Sequence, residues 1–124
     1  MLVNQKDLNF LLYDVFDAKG LTQYSQYSEH DQATFDGVID TANHIAQSYF
    51  APHNSKADEH EPQFDGETVS TIPEVKDAWK HYAQAGLLNA SQSFEDGGMQ
   101  LPTMIHSACS GLFTSANPGT AGYM

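Results

Sequence analysis

Phe35-Asp36-Gly37-Val38-Ile39-Asp40-Thr41-Ala42-Asn43-His44-Ile45-Ala46-Gln47-Ser48-Tyr49-Phe50 is the stretch from which the fold class is read. Counted from Phe35, the apolar side chains of Phe35, Val38, Ile39, Ala42, Ala46, Tyr49 and Phe50 stand at offsets 0, 3, 4, 7, 11, 14 and 15. That is the repeat of an α-helix with one buried stripe, and a strand would alternate instead. Upstream, Ser28-Glu29-His30-Asp31 offers a helix start of the Ser-x-x-Asp kind. Downstream, Pro52 lacks an amide hydrogen. It is expected to release the carbonyl of Ser48 and bend the helix, which polar residues 54–61 continue until Pro62 ends it.

The segments on either side carry the same period. Leu8, Leu11, Leu12, Val15 and Phe16 form one stripe, with Gly20 as its expected stop. Residues 63–70, which include Asp65-Gly66, read as a loop or a short extended excursion. Thr71-Ile72-Pro73-Glu74 combines a capping box with an early proline, so the spacing predicts a helix over 72–85 with Gly86 as its left-handed cap. Its expected buried face is Val75, Ala78, Trp79, Tyr82 and Ala83. Residues 87–100 contain Glu95-Asp96-Gly97-Gly98 and read as a loop. Pro102 opens a last clear helix with the stripe Ile105, Ala108, Cys109, Leu112, Phe113 and Ala116, broken by Asn117-Pro118-Gly119. Residues 120–124 begin a further element. Thirteen alanines against nine Val plus Ile agree with an all-α fold. The 124 residues are one domain by length.

Sixteen acidic residues face five lysines and no arginine, for a formal charge of −11. Phosphate contacts on nucleic acids come largely from clustered Lys and Arg, and here the lysines are single and scattered, so no nucleic-acid partner is expected. The same deficit argues against an anionic membrane surface. The apolar run Phe10 to Tyr13 is too short for a span or a signal peptide, so a cytoplasmic location is expected. Cys109 is the only cysteine, which leaves no intrachain disulfide and no cysteine-based zinc site.

The candidates for chemistry are sparse. His53 and His60 on one helix lie about 10 Å apart at about 1.5 Å per residue, too far to share an ion. Asp40 and His44 have i, i+4 spacing but lack a third ligand, and no metal is expected. Cys109 has His106 one turn before it, yet a thiol packed among Ile105, Leu112 and Phe113 behaves as a small hydrophobe. Gly97-Gly98 has no accompanying phosphate-loop residues. No self-sufficient active site follows from these residues.

Ala85-Gly86-Leu87-Leu88-Asn89-Ala90-Ser91 followed by Phe94-Glu95-Asp96-Gly97-Gly98-Met99-Gln100-Leu101-Pro102 resembles a passage of the N-terminal helical domain of acyl-CoA dehydrogenases. Phe35-Asp36-Gly37-Val38-Ile39-Asp40-Thr41-Ala42, leading to Phe50-Ala51-Pro52-His53-Asn54, resembles that domain's long second helix and its bend. Asp58-Glu59-His60-Glu61-Pro62-Gln63-Phe64 resembles the segment after it. The opening helix and the Phe50-Ala51-Pro52-His53-Asn54 wording are similar to the methylmercaptopropionyl-CoA dehydrogenase-like subgroup.

The resemblance spans nearly all of the chain and implies an all-α, helical bundle-like domain of a parent oxidoreductase of fatty acid metabolism, a flavoprotein. FAD would take the β hydride of an acyl-CoA while a base removes the α proton. The family's β domain and C-terminal helical domain, which carry most flavin contacts and usually the base, have no counterpart here. The chain is therefore expected to be an inactive N-terminal domain that binds no FAD alone. By the same resemblance Gly119, Thr120, Ala121, Gly122 and Tyr123 would form part of the wall of the acyl-CoA substrate pocket. A domain without its sister domains is expected to self-associate through a face around Leu112, Phe113, Tyr123 and Met124. The alternative is a free-standing helical module that binds a protein partner.

Overall fold

The computed structural model describes residues 3–124, a small, mostly helical domain. Its elements are α1 (Gln5–Asn9), α2 (Gln32–Ile45), α3 (Asn54–Glu59), a hairpin of β1 (Gln63–Phe64) and β2 (Val69–Ser70), α4 (Pro73–Gln84), α5 (Thr103–Ala116) and α6 (Pro118–Ala121). The antiparallel hairpin pairs Gln63 with Ser70 and Phe64 with Val69, so the excursion expected at residues 63–70 is extended. Several of the remaining connections are short 3₁₀ or π-helical turns.

The stripes from α2 and α5 make the core. Phe35, Ile39, Ala42, Ala46 and Phe50 are buried, as are Ile105, Cys109, Leu112, Phe113 and Ala116. Phe113 is central: its ring lies 4.7 Å from that of Phe50 and takes the ring of Tyr82 edge-on at 5.0 Å. Leu112 and Phe113 are thus largely interior to this domain, whereas Tyr123, expected on the same face, is 48 % exposed. On α4, Ala78 is fully buried and lets the helix approach closely, while Trp79, a helical step further round, stays 43 % exposed instead of joining the core. Val38, at the flank of its stripe, is half-buried.

Several helix ends differ from their sequence reading. The cap of α2 is Asp31 and not Ser28, because His30 is buried with Nε2 3.1 Å from the carbonyl of Gln100, and this docks the chain just before the helix. The Asp31 carboxylate accepts from the backbone N–H and hydroxyl of Thr34, both at 2.8 Å, and these bonds hold its pKa below the usual carboxylate range. At α4, Ile72 occupies the cap position and Thr71 makes no capping bond, since Pro73 itself supplies the helical φ of the first turn. Gly86 does take the left-handed conformation, with φ of 75°. The first helix widens after α1 into a π-helical turn over Phe10–Val15 and stops at Asp17, whose φ is 48°, ahead of Gly20. The wider turn rotates the stripe, so Leu12 is buried and Leu11, Val15 and Phe16 face outward. Tyr13 Oη, donating to Asp36 at 2.6 Å, and Gln5 Nε2, donating to Asp40 at 2.8 Å, tie this segment to α2.

Residues 87–100 begin with a 3₁₀ turn at Leu87–Asn89, and buried Leu87, Ala90 and Leu101 hold the segment down. A Cβ on Gly98 would fall 2.2 Å from the carbonyl oxygen of Gln92, so this glycine serves the tight turn.

The junction after α2 carries the main polar lock. A π-helical turn (Ala46–Phe50) and a 3₁₀ turn (Ala51–His53) surround Pro52. In the 3₁₀ turn the Asn54 N–H bonds back to Ala51, which leaves the Phe50 carbonyl for a side chain. Asn117, with 0 % exposure and extended backbone between α5 and α6, donates Nδ2–H to that carbonyl at 3.1 Å. Its Oδ1 accepts the Thr120 N–H at 3.0 Å and so caps α6. Replacing Asn117 by Ala strands a buried acceptor and a buried donor, each costing roughly 1–3 kcal/mol. Denaturant unfolding of Asn117→Ala is expected to show a loss of about 2–4 kcal/mol. A loss below about 0.5 kcal/mol, the scale of an ordinary surface change, would contradict this role.

Candidate functional site

The lock places α6 against the turn that holds His53. Thr120, buried on α6, has its Oγ1 2.8 Å from Nε2 of His53, which is itself buried. Burial pushes the His53 pKa down, opposed in part by the nearby Glu74 carboxylate, so the imidazole is neutral near neutral pH. Glu74, in the first turn of α4, forms an ion pair with Lys56 of α3, and this contact lowers its pKa.

Above this pair lies a small cleft of about 80 Å³. Its floor and sides come from Ala57 and His60, from Pro62, from Thr71, Ile72 and Val75 at the start of α4, and from Gly119, Thr120 and Tyr123. Of the residues assigned to an acyl wall, three therefore share one mostly apolar cleft. Ala121 instead lines a separate groove of about 180 Å³ with Tyr82, Leu88, His106, Phe113 and Met124. Gly122 is exposed. Sequence reasoning missed Ile72 and Val75 as cleft walls. Their position beside Pro62, at the foot of the helix opened by Pro73, was the available signal.

The other candidates resolve into structural contacts. Cys109 is buried and its thiol is pushed up to about 12 by that burial, so it holds no reactive thiolate at neutral pH. His106 pairs through Nδ1 with Ser91 Oγ at 3.0 Å. Tyr49 stacks on His81 at 3.5 Å. Among the described residues no three His, Cys, Asp or Glu side chains gather as metal ligands, and no helix is long and apolar enough to cross a membrane.

Compared with known proteins, the chain matches no family model, and a search of the curated proteins finds no match.

The buried His53 makes stability depend on pH. Its folded pKa lies below its unfolded value of about 6.5, so the unfolded chain binds the proton first as pH falls. The contribution of His53 to stability is full above about pH 6.5 and declines below it. Between about pH 7.5 and 5.5 the melting midpoint of the native chain is expected to fall clearly more than that of His53→Gln, whose amide stays neutral. Equal declines would show that His53 does not carry the effect.

Proposed function

We propose that residues 1–124 are the N-terminal helical domain of a flavin-dependent acyl-CoA dehydrogenase similar to the methylmercaptopropionyl-CoA type, supplying one wall of the acyl pocket. The observation that carries this reading is the cleft at α6. Gly119, Thr120 and Tyr123, assigned to that wall by the resemblance, meet Pro62, Ile72 and Val75 in an apolar depression. The break around Pro52 and the turn at Gly97-Gly98 fall within the segments that carry the resemblance, which supports the reading.

The cleft is small beside the roughly 300–1,000 Å³ of typical ligand sites, which suits one wall of a shared pocket and the end of a short aliphatic chain. It cannot hold a flavin ring system, and no lysine lines it. On this reading FAD is held by the rest of the enzyme, and no catalytic residue is assigned within this chain. The residues here would exclude water from an acyl chain and set its length, with Tyr123 at the rim and 48 % exposed.

One observation favours the second reading, a free-standing helical module. Leu112 and Phe113 close into the domain's own core instead of waiting for sister domains. Self-association at this end of the domain would use Tyr123 and the groove that Phe113 and Met124 line, and not Leu112.

The purified chain is expected to be colourless, without a flavin absorbance band, and unable to oxidise butyryl-CoA. In amide NMR spectra butyryl-CoA should shift Gly119, Thr120 and Tyr123, whereas coenzyme A alone should leave them in place. A stoichiometric flavin band, or cleft amides unmoved by butyryl-CoA, would count against the proposal. Reading the source gene past codon 124 gives an independent check. Continuation into a β-rich segment and a helical bundle supports the enzyme, and a stop codon there supports the module.

A further inference from the structure

Residues 58–71 are exposed without exception, so nothing described in the chain packs over them. In their midst sits the only sheet among the described residues, whose two strands pair with each other alone. The cross-strand pair Phe64 and Val69 is 68 % and 61 % exposed. An apolar pair on a hairpin with free outer edges is a surface that ordinarily acquires a partner strand.

The charge around it selects the partner. From residue 57 to residue 75 there is no lysine, while Asp58, Glu59, Glu61 and Glu67 flank the hairpin. Among the described residues none of these four forms an ion pair. Asp65 is already engaged, accepting from the backbone of Glu67 and Thr68 at 2.9 and 2.8 Å to hold the turn. The carboxylates concentrate on one side: Asp58, Glu59 and Glu61 line an open depression of about 420 Å³ that runs onto Gln63 of β1. A second copy of this chain would bring carboxylates against carboxylates at a net charge of −11 each.

We propose that the outer edge of β1 docks an extended, cationic segment of another protein, with lysine or arginine alternating with apolar residues. Backbone bonds to β1 set its register, an apolar side chain covers Phe64, and the alternate basic side chains reach Asp58, Glu59 and Glu61. The inference does not rest on the acyl-pocket reading, because the hairpin side chains lie outside that cleft.

Three fluorescently labelled peptides test it, four repeats each of Lys-Val, Lys-Pro and Glu-Val. Lys-Val should bind one to one, weaken as salt is raised, and slow amide exchange at β1. Lys-Pro has the same charge but lacks every second amide hydrogen, and it should bind at least about tenfold more weakly. Phe64→Ser and, separately, Val69→Ser change exposed side chains, and each should weaken Lys-Val binding by about tenfold for the former and less for the latter. Glu-Val should not bind. Equal binding of Lys-Val and Lys-Pro would mean diffuse charge attraction and overturn the proposal. So would unchanged affinity in Phe64→Ser, or a dimer in sedimentation that Phe64→Ser dissolves without any peptide.

Discussion

The rest of the structure depends on one buried amide. Asn117 joins the end of the α2 segment, through the Phe50 carbonyl, to the first turn of α6, through the Thr120 N–H. The first bond exists because the chain around Pro52 leaves the α-helical pattern, which frees a carbonyl that a regular helix would have used itself, and the second is the local cap of α6. Once Thr120 is fixed, its hydroxyl meets His53, and the side of α6 that carries Gly119 and Thr120 turns toward α3 and α4. The cleft is a consequence of that placement.

Packing and charge divide the molecule between them. The α2 and α5 stripes, closed by the Phe50, Tyr82 and Phe113 rings, supply the apolar burial that stabilises the domain. The acidic excess stays outside, where the one close Lys–Glu pair among the described residues, Lys56 with Glu74, braces α3 against α4. Exposed pairs of this kind add at most about 1 kcal/mol, so the brace orients the cleft walls more than it stabilises the fold.

The core was legible in the sequence where helical spacing and residue size agreed. Phe35, Ile39 and Ala42 on α2, Phe50 in the turn that follows it, and Ile105, Cys109 and Phe113 on α5 fall where their period puts them. Trp79 misled because size suggests burial, whereas position on the helix decides it. Leu112 and Phe113 were legible as core from periodicity, and only the expectation of missing sister domains turned them outward. Asn117 was legible as a break but not as a lock, since its partner lies 67 positions away and depends on the irregular turn at Pro52. For the same reason the sequence named Thr120 without its bond to His53. The hairpin was half legible: the turn at Asp65-Gly66 showed, while the pairing of Phe64 with Val69 needed coordinates.

Native-state amide hydrogen exchange at Thr120 tests the lock most directly. Thr120 lies four residues before Met124, where a short helix of four residues would ordinarily fray. If the Asn117 side chain holds α6 to the core, this amide exchanges only with global unfolding, as slowly as the amides in the middle of α5. Exchange at the rate of a fraying terminus, with α5 still protected, would show that α6 moves independently and that neither the His53 contact nor the cleft is a fixed feature of the fold.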